Sequence, residues 1–222
     1  MSTPPPSESA LRSQIAELGA SFFTRRLTFG RTGNISARSG AHVLLTPTGA
    51  SLGSIDPAQL SIIEADTGRH IDGPQPSKEA FLHATMYRAR PQEGAVIHLH
   101  STYSVAVSCL ADVDAADALP PLTAYYVMRV GKLPLLPYHA PGDDSLAAHA
   151  ETAALSGHAM LLANHGPVIS AADLAAAADA VEELEETARL FLMLRHEKTR
   201  PLTIEQAEQL RARFPSAPTA RA

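Results

Sequence analysis

Residues 95–104, Ala-Val-Ile-His-Leu-His-Ser-Thr-Tyr-Ser, constrain the fold of this chain more than any other segment. Apolar residues lead into His98, and Ser101 and Thr102 begin a new helical pattern, so we predict a buried strand that ends at the histidines. Positions i and i+2 of a strand share a face, so His98 and His100 would point the same way. Such a pair is either part of a metal site or two structural or solvated side chains, and a His-X-His pattern by itself favours the second interpretation.

Strand and helix patterns alternate irregularly along the rest of the chain, which predicts an α/β or α+β fold. Helical periods are expected over residues 9–26, 81–90, 105–110, 145–156, 171–197 and 204–214. Short apolar runs predict strands over residues 43–46, 60–66, 69–71, 95–100 and 159–163, with further strand pieces in 122–137. Since no repeat or linker divides these elements, we expect a disordered tail over residues 1–8, a single domain over 9–214 and a flexible tail over 215–222.

The composition argues against several functional classes. The 222-residue chain has a net charge of −5 at pH 7 and no basic tract, which disfavours nucleic-acid binding. It lacks an apolar run of roughly 18 residues, so no membrane-spanning helix is expected. The proline-rich start does not resemble a signal peptide, and a single cysteine, Cys109, excludes an intrachain disulfide. We therefore expect a cytoplasmic protein.

A third histidine strengthens the metal interpretation. His165 follows the apolar run at 159–163, so it lies at the end of a second predicted strand and before a helix. Three neutral imidazoles leave one position open on Zn²⁺, which is the arrangement of catalytic zinc sites. The histidines that lack this placement and are expected to be solvated are His42, His70, His149, His158 and His196. His83, on a helix, and His139, in a loop, could support the metal ligands without binding the metal, but we expect both to be structural or solvated residues.

A carboxylate and three turns complete the candidate site. Glu79 begins a helix, where a carboxylate interacts favourably with the helix dipole, and beside a dication it could also carry a proton. Three turns combine small hydroxyl residues with free backbone N–H groups, and such turns bind phosphate. The turns are Thr32-Gly33-Asn34, Thr48-Gly49 and Ser77-Lys78, and the ammonium group of Lys78 would attract an anion. Each turn by itself is more often structural.

Taken together and in order, these motifs resemble the class II aldolase/adducin-head family, which is typified by fuculose-phosphate aldolase. The resemblance covers about residues 10–200 and rests on the segments 32–36, 46–49, 77–79, 98–100 and 164–166. It implies a three-layer α/β/α fold with a central, largely antiparallel sheet flanked by helices. It also implies a four-fold symmetric homotetramer with sites between neighbouring subunits.

The resemblance also implies a site. One zinc ion per subunit, or another divalent metal, would be bound by His98, His100 and His165. Glu79 would donate and accept the proton, and would be a fourth ligand when no substrate is bound. The implied phosphate pocket comprises Gly33, Asn34, Thr48, Gly49, Ser77 and Lys78. Tyr125 or Tyr126 would match a tyrosine that the family places near its site.

Two departures from the aldolases point to one branch of this family. Aldolases usually carry Ser-Ser-Glu where this chain has Ser77-Lys78-Glu79, and the segment 119–126 also differs. Both features resemble the 3-oxo-tetronate 4-phosphate decarboxylases. The implied reaction is zinc-dependent decarboxylation to dihydroxyacetone phosphate and CO₂ through an enediolate that the metal stabilises. Glu79 argues against the pentulose-phosphate 4-epimerase branch, which places Asp at that position.

Two other functions fit the same sequence. An aldolase that cleaves a sugar phosphate such as fuculose 1-phosphate would form the same enediolate, and a non-catalytic adducin-head-like interaction domain would share the fold. The three histidines and Glu79 argue against the interaction domain. The expected binding partner is a phosphorylated sugar acid, with neither nucleic acid nor a membrane.

Overall fold

In the computed structural model, which describes residues 6–214, eight strands form one central sheet covered by helices. The strands are β1 (Asn34–Ser39), β2 (His42–Leu45), β3 (Ser61–Glu64), β4 (His70–Asp72), β5 (Ala95–His98), β6 (Leu135–Leu136), β7 (Ala159–Leu162) and β8 (Gly166–Ala171). The helices are α1 (Glu8–Thr24), α2 (Ala80–Ala89), α3 (Thr102–Ser108), α4 (Ala124–Arg129), α5 (Ala147–Ser156), α6 (Leu174–Leu194) and α7 (Ile204–Arg213). Short 3₁₀ turns lie at Leu52–Ser54, Pro57–Gln59 and Asp144–Leu146.

The sheet has the strand order β4-β3-β2-β1-β5-β8-β7-β6, and its neighbouring strands are antiparallel except for β6 and β7. Helices pack on both of its faces. These observations confirm the predicted three-layer α/β/α class with a largely antiparallel sheet. The strand that ends in His98, β5, lies between β1 and β8, and all of its residues are buried.

The apolar side chains of β5 alternate between two separate cores. Ile97 packs in the core on the side of α1, α3 and α6, whereas Val96 packs on the side of α2 and α5. Both residues are 0% exposed, and full burial of such a side chain contributes about 1.5–3 kcal/mol. His98 shares a face with Val96 because the two residues are two positions apart. The histidine therefore lies on the α2 side of the sheet.

The structure corrects the prediction of a helix directly after His165. Strand β8 follows instead, so His165 lies in the turn between β7 and β8. Every residue of β8 is buried, so the strand lacks the polar alternation that would identify it, and Gly166-Pro167 is typical of a turn. The helix predicted over 171–197 accordingly begins at Leu174, with Asp173 as its N-cap.

The predicted strand pieces over residues 122–137 are wrong in their first half. This part of the segment forms α4, whose N-cap Thr123 accepts a hydrogen bond from the Tyr126 N–H. Tyr126 and Val127 are buried on the core side of the helix, which explains the apolar character of the segment. In the second half, Leu135–Leu136 pairs in parallel with β7.

The predicted tails fall mainly outside the described residues. Residues 1–5 and 215–222 lie outside them, and α1 begins at Glu8 with Ser7 as its N-cap, one position before the predicted domain boundary. The single domain over 9–214 stays a prediction. Among residues 6–214, no helix combines the length and the apolar character that crossing a membrane requires.

Gly166 tests how tightly the turn that carries His165 packs against the end of β5. A Cβ atom at Gly166 would lie 2.2 Å from the Leu99 carbonyl oxygen, which is a backbone atom that cannot move freely. We expect Gly166→Ala to lower the free energy of unfolding by about 1–3 kcal/mol, measured by urea denaturation. Gly157→Ala is the control, because Gly157 has an extended backbone and a Cβ there would have no neighbour closer than 3.9 Å. Equal stabilities of the two variants would contradict the packing.

Candidate metal centre

The structure brings three histidine side chains together at one end of the sheet. His98 ends β5, His100 follows two residues later, and His165 precedes β8, the neighbour of β5. The Nε2 atom of His100 lies 3.1 Å from Nε2 of His98 and 3.0 Å from Nε2 of His165. The ligand atoms of the three residues all lie within 4.8 Å of one another, a spacing at which they could share one cation.

The surroundings of these histidines favour metal binding. His98 Nδ1 lies 2.8 Å from the Pro167 carbonyl oxygen, and the N–H donated there leaves the Nε2 lone pair free. Burial, together with the neighbouring His98, lowers the pKa of His100 to about 3 and the pKa of His165 to about 4. Both imidazoles are therefore uncharged near neutral pH, as metal ligation requires.

Glu79 directs its carboxylate at the histidines instead of capping α2. It occupies the N-cap position of that helix, yet its side chain makes no capping hydrogen bond. Its Oε2 atom lies 3.4 Å from His98 Nε2, and its Oε1 atom lies 3.3 Å from His165 Nε2. Burial by itself would raise the pKa of Glu79, but the three histidines and an N–H donated by Asn34 outweigh it and lower the pKa to about 2.

The spacing of these four side chains fits a small tetrahedral cation. Zinc binds imidazole nitrogen and carboxylate oxygen at about 2.0–2.2 Å, so neighbouring ligand atoms of a tetrahedral site lie roughly 3.3–3.5 Å apart. His100 Nε2 lies 3.0–3.1 Å from the other two imidazole nitrogens, and the Glu79 oxygens lie 3.3–3.4 Å from Nε2 of His98 and His165. Three imidazoles and one carboxylate could therefore hold Zn²⁺ or another divalent ion.

A cavity of about 160 Å³ opens beside this cluster and is lined by Glu79, His100 and His165. The structure brings all residues of the predicted phosphate pocket into its wall, namely Gly33, Asn34, Thr48, Gly49, Ser77 and Lys78. The cavity thus joins the turns to the carboxylate and the histidines. A small molecule held at the turns would reach both.

Backbone contacts hold the turns of this cavity against one another. Pro47 and Pro76 form an isolated antiparallel bridge, and the Thr48 N–H donates to the Gln75 carbonyl oxygen at 3.0 Å. Gly33 has a φ of 79°, and a Cβ there would lie 2.9 Å from the carbonyl oxygen at the end of β5. Only glycine combines that backbone conformation with that close approach at low cost. The cavity wall is therefore fixed by the fold.

The sequence analysis missed Arg31, which also lines the cavity. Arg31 and Lys78 are both exposed, and neither forms an ion pair or side-chain hydrogen bond with another residue of the part of the chain that the structure describes. The signal for Arg31 was its position directly before the Thr32-Gly33 turn. Two cationic side chains thus line the cavity without an ion pair to a carboxylate of the described residues.

Two buried histidines depart from the prediction. His83 was expected in an ordinary position, but its Nε2 atom hydrogen-bonds the Asn34 side chain, which in turn contacts Glu79. The signal was its spacing of four residues from Glu79, which puts both on one face of α2. His158 was expected to be solvated, yet it is 7% exposed, with Nδ1 2.9 Å from the Ser170 carbonyl oxygen.

The two candidate tyrosines are not brought to the cavity. Tyr126 is buried in the core, and Tyr125 is 59% exposed, with the Arg129 guanidinium 5.7 Å from the centre of its ring. Neither residue lines the cavity beside the histidines in the described chain. A role for either tyrosine stays a prediction.

The chain is similar to known proteins over most of its length. The family described as Class II Aldolase and Adducin N-terminal domain matches residues 13–192. A 3-oxo-tetronate 4-phosphate decarboxylase from Haemophilus influenzae is 46% identical over 205 residues, which are 92% of this chain and 97% of that protein. An L-fuculose phosphate aldolase from Methanocaldococcus jannaschii is 32% identical over 182 residues, which are 82% of this chain and 96% of that protein. The crystal structure of YgbL from Klebsiella pneumoniae has a TM-score of 0.90 and 41% identity, and the match covers 93% of this chain and 100% of that one.

Removal of a single imidazole tests the metal centre. We expect His98→Ala or His165→Ala to weaken zinc binding by more than about 100-fold. Loss of a direct ligand reduces metal affinity more than loss of a residue that only orients a ligand. Competition with a chromogenic chelator measures the affinity. The control is His196→Ala, since His196 is exposed and lies outside the cluster. Wild-type affinity in His98→Ala would contradict the assignment.

Proposed function

The chain belongs to the family of class II aldolases and adducin N-terminal domains, and from that membership we propose that it is a zinc-dependent carboxy-lyase. It decarboxylates a 3-oxo-tetronate 4-phosphate to dihydroxyacetone phosphate and CO₂. The observation that carries the proposal is the 46% identity, over 92% of the chain, to a protein named for this reaction. The family generally depends on a divalent metal, and the three histidines with Glu79 offer a fitting set of ligands.

The reaction requires stabilisation of the electron pair that the breaking bond leaves behind. The C1–C2 bond of the oxo acid breaks, C1 leaves as CO₂, and the bonding pair spreads over C2, C3 and the C3 oxygen. A divalent cation, when bound, supplies Lewis-acid stabilisation of that developing charge. A proton must then reach C2, which becomes the hydroxymethyl carbon of dihydroxyacetone phosphate.

We assign Glu79 to relay this proton from water to C2, because its ionised carboxylate must take up a proton before it can donate one. Its carboxylate lines the cavity, and its side chain is only 11% exposed, which limits competition from bulk water. Asn34 donates an N–H to Oε2 at 2.8 Å and so holds the carboxylate in position. A positioned acid–base group typically accelerates a reaction by about 10²–10⁴-fold.

The cationic side chains of the cavity favour a substrate with two anionic groups. Arg31 and Lys78 both line it. An oxo-tetronate phosphate carries a carboxylate and a phosphate, whereas fuculose 1-phosphate carries only a phosphate. Binding of the phosphate at Gly33, Thr48 and Gly49 would orient the C1–C2 bond relative to Glu79.

The alternative within the same chemistry is an aldolase that cleaves a sugar phosphate such as fuculose 1-phosphate. The 32% identity to an L-fuculose phosphate aldolase supports a shared lyase mechanism, but it is lower than the identity to the decarboxylase. A non-catalytic interaction domain is disfavoured, because such a domain would not need a carboxylate beside three converging imidazoles.

Further parts of the proposal follow from the family resemblance. We propose one zinc ion per subunit, bound by the three histidines, with Glu79 as a fourth ligand before substrate binds. We also propose a homotetramer that works in the cytoplasm. Size-exclusion chromatography with light scattering tests the tetramer, and metal analysis of the purified protein tests zinc.

A comparison of two substrates tests the reaction. We expect the zinc-loaded protein to release dihydroxyacetone phosphate and CO₂ from a 3-oxo-tetronate 4-phosphate, with a kcat/KM at least about 100-fold above that for fuculose 1-phosphate. A difference of that size corresponds to roughly 2.7 kcal/mol of transition-state discrimination. Faster cleavage of fuculose 1-phosphate, with release of an aldehyde, would establish the aldolase instead. No turnover of either substrate by the zinc-loaded protein would contradict both.

Replacement of the carboxylate tests the assignment of the proton. Glu79→Gln keeps the size of the side chain and an oxygen that can accept the Asn34 N–H, but it cannot carry the proton. We expect kcat to fall by about 10²–10⁴-fold, while the phosphate contacts keep KM within a few-fold of wild type. Glu208→Gln is the control, because Glu208 is exposed on α7. An unchanged kcat in Glu79→Gln would mean that Glu79 has only a structural role.

A further inference from the structure

A row of buried polar side chains runs behind Glu79, away from the cavity. The Tyr87 hydroxyl lies 2.9 Å from Ser36 Oγ, and Ser36 Oγ lies 2.7 Å from His83 Nδ1. His83 Nε2 hydrogen-bonds Asn34 Oδ1, and Asn34 Nδ2 donates to Glu79 Oε2 at 2.8 Å. The row therefore links the interior of the protein to the carboxylate without a gap.

The geometry of two elements creates this row. Glu79, His83 and Tyr87 are spaced by four residues, so they lie along one face of α2, while Asn34 and Ser36 are two residues apart on one face of β1. Four helical residues rise about 6.0 Å and two strand residues about 6.8 Å, so the two repeats nearly match. Each polar group on α2 consequently meets one on β1.

The chemistry of the carboxylate sets the direction of the hydrogen bonds from Glu79 as far as His83 Nε2. An ionised Glu79 only accepts, so Asn34 must present Nδ2 to it and Oδ1 to His83. Because Oδ1 only accepts, His83 must carry its proton on Nε2. If the imidazole is neutral, its Nδ1 accepts from the Ser36 hydroxyl, and Ser36 Oγ accepts from Tyr87. A neutral imidazole protonated on Nε2 therefore satisfies both neighbours of His83.

The burial of His83 agrees with that form. The residue is 0% exposed, and burial, followed by the nearby His98, lowers its pKa to about 3. His83 lies outside the cavity wall and is not part of the histidine cluster. The mechanism above gives it no role, and a buried histidine with both nitrogens engaged is costly to replace.

We propose that His83 is a positioning residue, whose Nε2–H locks the Asn34 side-chain amide so that its N–H, and not its oxygen, faces Glu79. Without this donor the amide could turn over, and Asn34 Oδ1 would then oppose the carboxylate. Glu79 would lose its anchor and move relative to the substrate. The inference rests on the proposed function only in assigning the proton to Glu79.

The protonated nitrogen of His83 can be observed directly in the wild-type protein. In the zinc-loaded enzyme labelled with ¹⁵N-histidine, two-dimensional ¹H–¹⁵N spectra distinguish the pyrrole-type nitrogen from the pyridine-type nitrogen, and the His83→Gln spectrum assigns the signals. We expect a pyrrole-type Nε2 and a pyridine-type Nδ1. A proton on Nδ1 with an unprotonated Nε2 would overturn the proposal whether or not the protein is a decarboxylase.

Two variants at one position test the consequence for turnover. His83→Leu removes the donor, and we expect kcat with the oxo-tetronate phosphate to fall by about 10–100-fold, the usual effect of losing an orienting group behind a reactive residue. His83→Gln can place an amide N–H near the Nε2 position, so we expect it to recover most of that loss. Zinc affinity should stay within a few-fold of wild type in both variants, because the three imidazoles are intact.

A second buried histidine provides the matched control. His158 directly precedes β7, is 7% exposed and lies outside the cavity wall, and its Nδ1 atom bonds the Ser170 carbonyl oxygen of β8. His158→Leu should reduce stability as His83→Leu does, yet keep the wild-type kcat. Equal kcat values for His83→Leu and wild type, or equal losses in His83→Gln and His83→Leu, would overturn the proposal. An inactive wild-type enzyme would instead refute the proposed function and leave the spectrum to decide on His83.

Discussion

The antiparallel register between β1 and β5 is the constraint on which the site depends, because it sets Asn34 directly opposite His98. The residue that anchors Glu79 and one candidate ligand therefore share a face of the sheet. A slip of one residue would turn the side chains of β1 to the opposite face. Ile35 and Ile97, which pair in the same register and are both 0% exposed, oppose such a slip. Ordinary apolar packing thus fixes the polar groups of the site.

Most residues of the candidate site can be predicted from the sequence because they lie in short local motifs. His98 and His100 are adjacent on one strand end, and the glycine turns are recognisable from composition. The strand that follows His165, β8, cannot be recognised in the same way. It is buried on both faces and begins with Gly-Pro, so its sequence shows neither polar alternation nor a typical strand start. The histidine was placed correctly at a strand end, but the following element was wrong.

The residues that the sequence analysis missed depend on pairing between distant elements. His83 acquires its role because α2 packs against β1 with nearly matching repeats, and neither element by itself reveals that match. Arg31 lines the cavity because the turn after it meets the turns at 47–49 and 75–77. Local patterns identify groups that can carry chemistry, whereas the contacts that orient those groups come from tertiary structure.

Glu79, in its proposed role, delivers a proton to one face of the carbon that remains after decarboxylation. Turnover of a 3-oxo-tetronate 4-phosphate in D₂O tests this role, with the product analysed by NMR after stereospecific conversion. We expect dihydroxyacetone phosphate with one deuterium on its hydroxymethyl carbon, in a single configuration, because the carboxylate reaches C2 from one side. Equal amounts of the two configurations would show protonation by free water after release, and would contradict the role of Glu79.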